Sequence, residues 1–162
     1  MRATTLSPIE TCLKKGSLSA CGVKIAQSGW ATFAFMRFTF WKWEGAGNEF
    51  ILCDGRSMAT TPTAEETTLW CDRQAGIGAD GLILFQPLTK LDDVGCAEGW
   101  SMDYLNADGS RSFCANGSRA LFAFLRQRDW MGDQGWLRAC DGDHAVRWDH
   151  ALDLPSVQLM PV

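Results

Sequence analysis

Proline is scarce in this chain, 5 residues in 162, and the 16 glycines follow no repeat, so neither a collagen-like nor a low-complexity disordered chain is expected. Only 2 histidines are present, and no two cysteines form a Cys-x-x-Cys pair. A zinc ribbon and a histidine-rich metal centre are therefore poorly supplied, and Cys140-x-x-x-His144 is an isolated pair rather than a ligand set. No apolar run approaches the roughly 18 to 20 residues of a spanning helix, so a soluble protein with no membrane partner is expected. Excess positive charge is lacking too. The 15 basic and 19 acidic residues give a formal net charge of -4, which opposes binding to nucleic acid.

What the chain does have is seven cysteines, an odd number without the spacing of a disulfide framework. Reduced thiols in a cytoplasm are the simplest expectation, and the question becomes whether one of them does chemistry.

The charge is unevenly spread. Residues 1–35 carry four basic residues and one acid, with eight Ser/Thr, whereas the chain from Met36 onward carries 11 basic against 18 acidic residues, a net of -7. The first stretch shows no sustained helical or alternating pattern. It is expected to be a leader outside the fold, either an upstream stretch read in frame before a true start at Met36, or a transit-like peptide, in which case a plastid replaces the cytoplasm as the location. Residues 36–162 are expected to form one domain.

Within that domain, Phe38–Trp43 and Phe50–Cys53 read as strands around a turn at Gly45 and Gly47. Thr63-x-x-Glu66 has capping-box spacing and predicts a helix over about 63–74. Gly76-Ile77-Gly78-Ala79-Asp80-Gly81 fits a dinucleotide fingerprint literally. Its context is the reverse of what the fingerprint needs, since a helix precedes it and the strand Leu82–Phe85 follows, so no nucleotide cofactor is expected. A strand over Trp100–Leu105 runs into an Asn106–Ser110 turn. From Ser118 comes a helix of apolar residues, expected to be buried, and then a hairpin through Asp141-Gly142-Asp143 and a last strand from Val157. The fold expected is α+β, a largely antiparallel sheet wrapped around one central helix.

Cys114 stands where that helix begins. Free amides at a helix N-terminus stabilise a thiolate and also attract a carboxylate. Asn116 and Gly117 would place amides beside the sulfur, and the Asn106 turn is close enough in sequence to return its side chain to the same mouth. The alternative is that Cys114 is a small packing residue before an Asn-Gly turn. Cys53, Cys71, Cys96 and Cys140 lack such amides and are expected to pack in the interior.

Four stretches, Met36-Arg37-Phe38 to Gly45-Ala46-Gly47-Asn48-Glu49-Phe50, Gly76 to Gly81, Asn106 to Ser110, and Cys114-Ala115-Asn116-Gly117-Ser118-Arg119, occur in the order and at the spacing of the N-terminal motifs of diaminopimelate epimerase. Residues 36–162 resemble the N-terminal domain of that family. The resemblance implies one half of a pseudo-symmetric two-domain fold and a cofactor-independent isomerase that interconverts LL- and meso-diaminopimelate, in lysine and peptidoglycan-precursor biosynthesis, with two cysteines on opposite faces of the α-carbon. It implies Cys114 as one of the two, with Asn48, Asn106, Asn116 and Gly117 holding the substrate, and a homodimer for the complete enzyme. Two departures stand out. Ala115 replaces the glycine usual after this cysteine, and no Cys-Gly-Thr-Gly motif for the second thiol occurs in the 162 residues. The expected partner is a missing C-terminal domain. The competing expectations are a free-standing, non-catalytic domain that binds an amino acid or a partner, and another isomerase of the two-domain group, such as a proline racemase relative.

Overall fold

A computed structural model describes residues 38–88 and 99–159. The expected leader, Met36, Cys12, Cys21 and Cys96 lie outside the described residues. Seven strands form one sheet in chain order: β1 (Phe40–Gly45), β2 (Asn48–Asp54), β3 (Gly81–Pro87), β4 (Gly99–Asn106), β5 (Gln134–Ala139), β6 (Gly142–Asp149) and β7 (Leu154–Val157). Four of the six pairings are antiparallel; β2–β3 and β4–β5 are parallel. The described residues also form two α-helices, α1 (Ala64–Cys71) and α2 (Ala115–Gln127). They fall in the two connections between parallel neighbours, where a crossover rather than a hairpin is required.

Local chemistry sets the boundaries. Ala46 and Gly47 join β1 to β2 with φ of 54 and 85, the left-handed pair that matches the twist of a two-residue hairpin. Thr63 caps α1 and forms the full capping box with Glu66. The helix ends at Cys71, three residues earlier than the pattern predicts, because the Asp72 carboxylate takes the amides of Gln74 and Ala75 at 2.7 Å each and turns the chain. The β5–β6 hairpin turns at Cys140–Asp141, with Ala139 opposite Gly142.

The sheet separates two apolar clusters by strand alternation. Phe50 and Leu52 of β2 face inward with Ile83, Phe85, Met102, Tyr104 and Leu137, against Ala120, Leu121, Phe122, Phe124 and Leu125 of α2. Ile51 and Cys53 face the other way, with Leu82, Leu105, Trp70 and Cys71. The outer edge strands β1 and β7 both pack on α2, so the sheet curls around that helix, while α1 lies against β3 and β4. This is the expected α+β arrangement, a largely antiparallel sheet wrapped around α2, with parallel joins at β2–β3 and β4–β5. Gly45 makes the curl tight where it matters: a Cβ there would lie 2.8 Å from the Ala120 Cβ and 3.2 Å from the Asn116 carbonyl oxygen. Its absence lets the first turns of α2 rest against the β1–β2 hairpin.

Candidate active site

Cys114 is the N-cap of α2, in extended backbone (φ -136, ψ 104), and its sulfur accepts from the Gly117 amide at 3.3 Å. The thiol is half-buried against the inner cluster. Gly117 itself is buried, and a Cβ on it would lie 3.1 Å from both Ile83 Cδ1 and Met102 Cε. The Ser118 amide bonds the Cys114 carbonyl at 2.8 Å. The amides of Ala115 and Asn116 have no acceptor among the described residues, as the opening turn of a helix leaves them. Two free donors thus flank the sulfur, and Ala115 keeps the amide that a glycine would have supplied.

Asn116 lies on this first turn and donates through Nδ2 to Asn48 Oδ1 at 3.0 Å. Asn48 starts β2 directly opposite Gly45, the residue that admits α2. Its own Nδ2 donates to Asp80 Oδ2 at 3.3 Å. The structure therefore gathers Cys114, Asn116, Gly117 and Asn48 at one mouth. Asn106 is placed differently: its Nδ2 closes its own turn on Ser110 O and Oγ at 3.1 and 3.0 Å and bonds Ser112 Oγ at 3.0 Å. It fixes the segment that leads into Cys114, and no hydrogen bond joins it to the thiol.

Three residues at this mouth have no sequence signature of their own. Asp80, the fifth residue of the glycine string, anchors Asn48 and accepts from the Glu49 amide at 2.9 Å and from Arg73 at 2.9 Å. The Glu49 amide first, then Asn48 and Arg73, hold its carboxyl below the ordinary aspartate range against the opposing effect of burial. Tyr104, buried on β4, sends its hydroxyl to the Asp80 carbonyl at 3.4 Å. Burial first, then the negative charge available at Cys114, Asp80 and Cys71, pushes the phenol up to about 12. Arg73 ties Asp80 to Glu49, which Lys42 also pairs at 3.0 Å.

The other described thiols differ in kind from Cys114. Cys53 is buried, and the loss of water around it pushes its pKa well above the ordinary thiol value. Cys71 is pushed up to about 11, mainly by burial and then by the Asp80 charge. Both pack in the outer cluster as expected. Cys140 does not pack in the interior: it is exposed, because it sits at the tip of the β5–β6 hairpin. Among the described residues no group of three or more His, Cys, Asp or Glu is arranged to hold a metal, and no helix is long and apolar enough to cross a membrane.

No protein-family model matches the chain. Curated relatives do. It is 36% identical over 125 residues to the diaminopimelate epimerase of Flavobacterium psychrophilum, covering 75% of this chain and 45% of that protein. It is 39% identical over 101 residues to the diaminopimelate epimerase of Synechococcus sp. (strain JA-3-3Ab), covering 61% and 33%, and 42% identical over 91 residues to that of Cyanothece sp. (strain PCC 7425), covering 55% and 30%. Solved structures with some likeness are methylitaconate-delta-isomerase, with a TM-score of 0.47, 12% identity, and 71% of this chain and 35% of that one covered, and a hydroxyproline epimerase from Agrobacterium vitis, with a TM-score of 0.42, 16% identity, and 80% and 41% covered. The chain spans about a third to just under half the length of the curated relatives it matches, and over that stretch it is a homologue of the diaminopimelate epimerases.

Proposed function

We propose that this chain supplies one face of a diaminopimelate epimerase active site, with Cys114 as the acid–base group of that face. The observation that supports this most is the pairing of the Cys114 sulfur with the Gly117 amide at 3.3 Å beside the free amides of Ala115 and Asn116. A substrate α-carboxylate bound on those amides brings its α-carbon next to the sulfur. The Cys114 thiolate then takes the α-proton: the C–H bond breaks, an S–H bond forms, and the electron pair passes into the carboxylate as an enediolate. The free amides stabilise that charge as it develops. Asn48 and Asn116 hold the substrate beside them, and Asn106 keeps the approach to Cys114 in place.

Inversion needs a proton returned to the opposite face. In this reading a second thiol provides it from a further domain, as the resemblance implies, and the reaction serves lysine and peptidoglycan-precursor biosynthesis in the cytoplasm. One face alone can exchange a proton but cannot invert the centre. Incubation of the 162-residue chain with LL-diaminopimelate in deuterated water is the test. Deuterium is expected at the α-carbon without meso product, and its uptake is expected to vanish in Cys114→Ala; uptake that survives this substitution would remove Cys114 from the role.

A further inference from the structure

Every polar atom of Asp80 is engaged. Its amide donates to the Glu49 carbonyl at 2.9 Å, and its carbonyl accepts from the Ala107 amide at 3.1 Å and from the Tyr104 hydroxyl at 3.4 Å. Its Oδ2 accepts from the Glu49 amide and from Asn48 Nδ2, and its Oδ1 from Arg73. The residue lies at the parallel join where β3 begins, between the Asn48 end of β2 and the Asn106 end of β4. Its partners thus come from both neighbouring strands and from the loop before it.

A carboxylate can only accept, and this has a directional consequence. Asn48 must turn its NH2 toward Asp80, which leaves its Oδ1 facing α2. Asn116 must then turn its own NH2 to that oxygen, as the 3.0 Å contact has it. The orientation of both amides, ordinarily ambiguous between nitrogen and oxygen, follows from one acceptor-only group at the end of the chain. Asn116 Oδ1 is left with no donor among the described residues, on the same helical turn as the free amides of Ala115 and Asn116.

We propose that Asp80 is a positioning residue that sets the direction of the Asp80–Asn48–Asn116 chain, so that the mouth of α2 presents a side-chain acceptor beside backbone donors. Such a mouth is matched to an α-amino acid zwitterion, with the carboxylate on the amides and the ammonium near Asn116 Oδ1. The same residue, through its main-chain carbonyl, also accepts from the Tyr104 hydroxyl on β4. This inference rests on the assignment of Cys114 and the first turn of α2 to the substrate site.

The test is NMR on the full isotopically labelled chain, reading couplings transmitted through hydrogen bonds. Coupling is expected from Asn116 Nδ2 to Asn48 Cγ and from Asn48 Nδ2 to Asp80 Cγ. Asp80→Asn retains an oxygen that can face Asn48 and the Glu49 amide, and is expected to keep the Asn116–Asn48 coupling; Asp80→Ala removes the acceptor and is expected to lose it. Coupling in the reverse direction, its absence from the unaltered chain, or its persistence in Asp80→Ala would overturn the proposal. Should Asp80→Ala fail to fold, the direction in the unaltered chain still decides. Labelling of Cys114 by a substrate analogue separates the two levels. Labelling without the couplings removes only the role of Asp80, whereas couplings without labelling leave an ordered chain and remove the substrate site.

Discussion

Asn116 donates to Asn48 across 3.0 Å and so ties residues 68 positions apart, the first turn of α2 to the start of β2. The contact depends on Gly45, which lies opposite Asn48 and admits Ala120 and the Asn116 carbonyl. Gly45→Ala would set a methyl group 2.8 Å from the Ala120 Cβ, and neither atom belongs to a flexible end. Overpacking of this kind costs about 1–3 kcal/mol. Urea unfolding is expected to show that loss, together with a broken Asn116–Asn48 bond. Gly47 provides the control: it has φ +85 and open space around it, so Gly47→Asn is expected to change stability far less.

Tyr104 is the single tyrosine of the chain, so tyrosinate absorbance reports on it alone. Titration is expected near 12, against about 10 for a free phenol. Because the folded value lies above the unfolded one, the stability linked to this group is complete below about pH 10 and is lost as pH rises toward 12. Cys114→Ala removes one of the named causes, and is expected to move the titration down. An unchanged titration in that variant would show that the phenol and the thiol do not interact.

On the acid side the sign reverses. Glu49 is held below the usual carboxylate range by Arg73 first and then by Lys42, and Asp80 by the Glu49 amide first and then by Asn48 and Arg73. Depressed folded values mean that their stabilisation is present above the unfolded pKa values of about 4 and is lost as pH falls through the folded ones. Arg73→Met is expected to flatten this acid limb in urea unfolding between neutral and acid pH. The effect is modest, since both ion pairs of Arg73 are solvent-exposed and screened.

At the N-terminus of α1, Thr63→Ala removes the acceptor of the Glu66 amide at 3.1 Å. The expected loss is about 1 kcal/mol, measured as a shift of the urea midpoint.

The fold was legible in the sequence where the cue is local. Thr63 and Glu66 announce α1, Gly45 and Gly47 announce the turn between the first two strands, and the apolar run after Ser118 announces the helix at the centre of the curl. Cys114 at a helix start was legible for the same reason. The contacts that assemble the mouth are long-range and carry no local pattern. Asp80 stands out in the sequence only as part of the Gly76–Gly81 string, which fails as a nucleotide site and otherwise counts as one of the four family-like motifs, and its bond to Asn48 exists because β2 and β3 pair in parallel. Tyr104 looked like one more alternating strand residue. Asn106 looked free to reach the mouth, yet its amide is satisfied within its own turn and by Ser112. The two parallel joins were hidden too, since the short turns suggested hairpins and nothing in α1 or α2 alone marks a crossover.

The central claim, that Cys114 acts on the α-carbon of a diaminopimelate-like substrate, is tested most directly by mapping the site of alkylation by an analogue that carries an electrophile at that carbon, on this chain combined with the domain proposed to supply the second thiol. Mass spectrometry is expected to place the label on Cys114, and free diaminopimelate is expected to protect it. A label on Cys140 or on any other cysteine, with none on Cys114, would contradict the account.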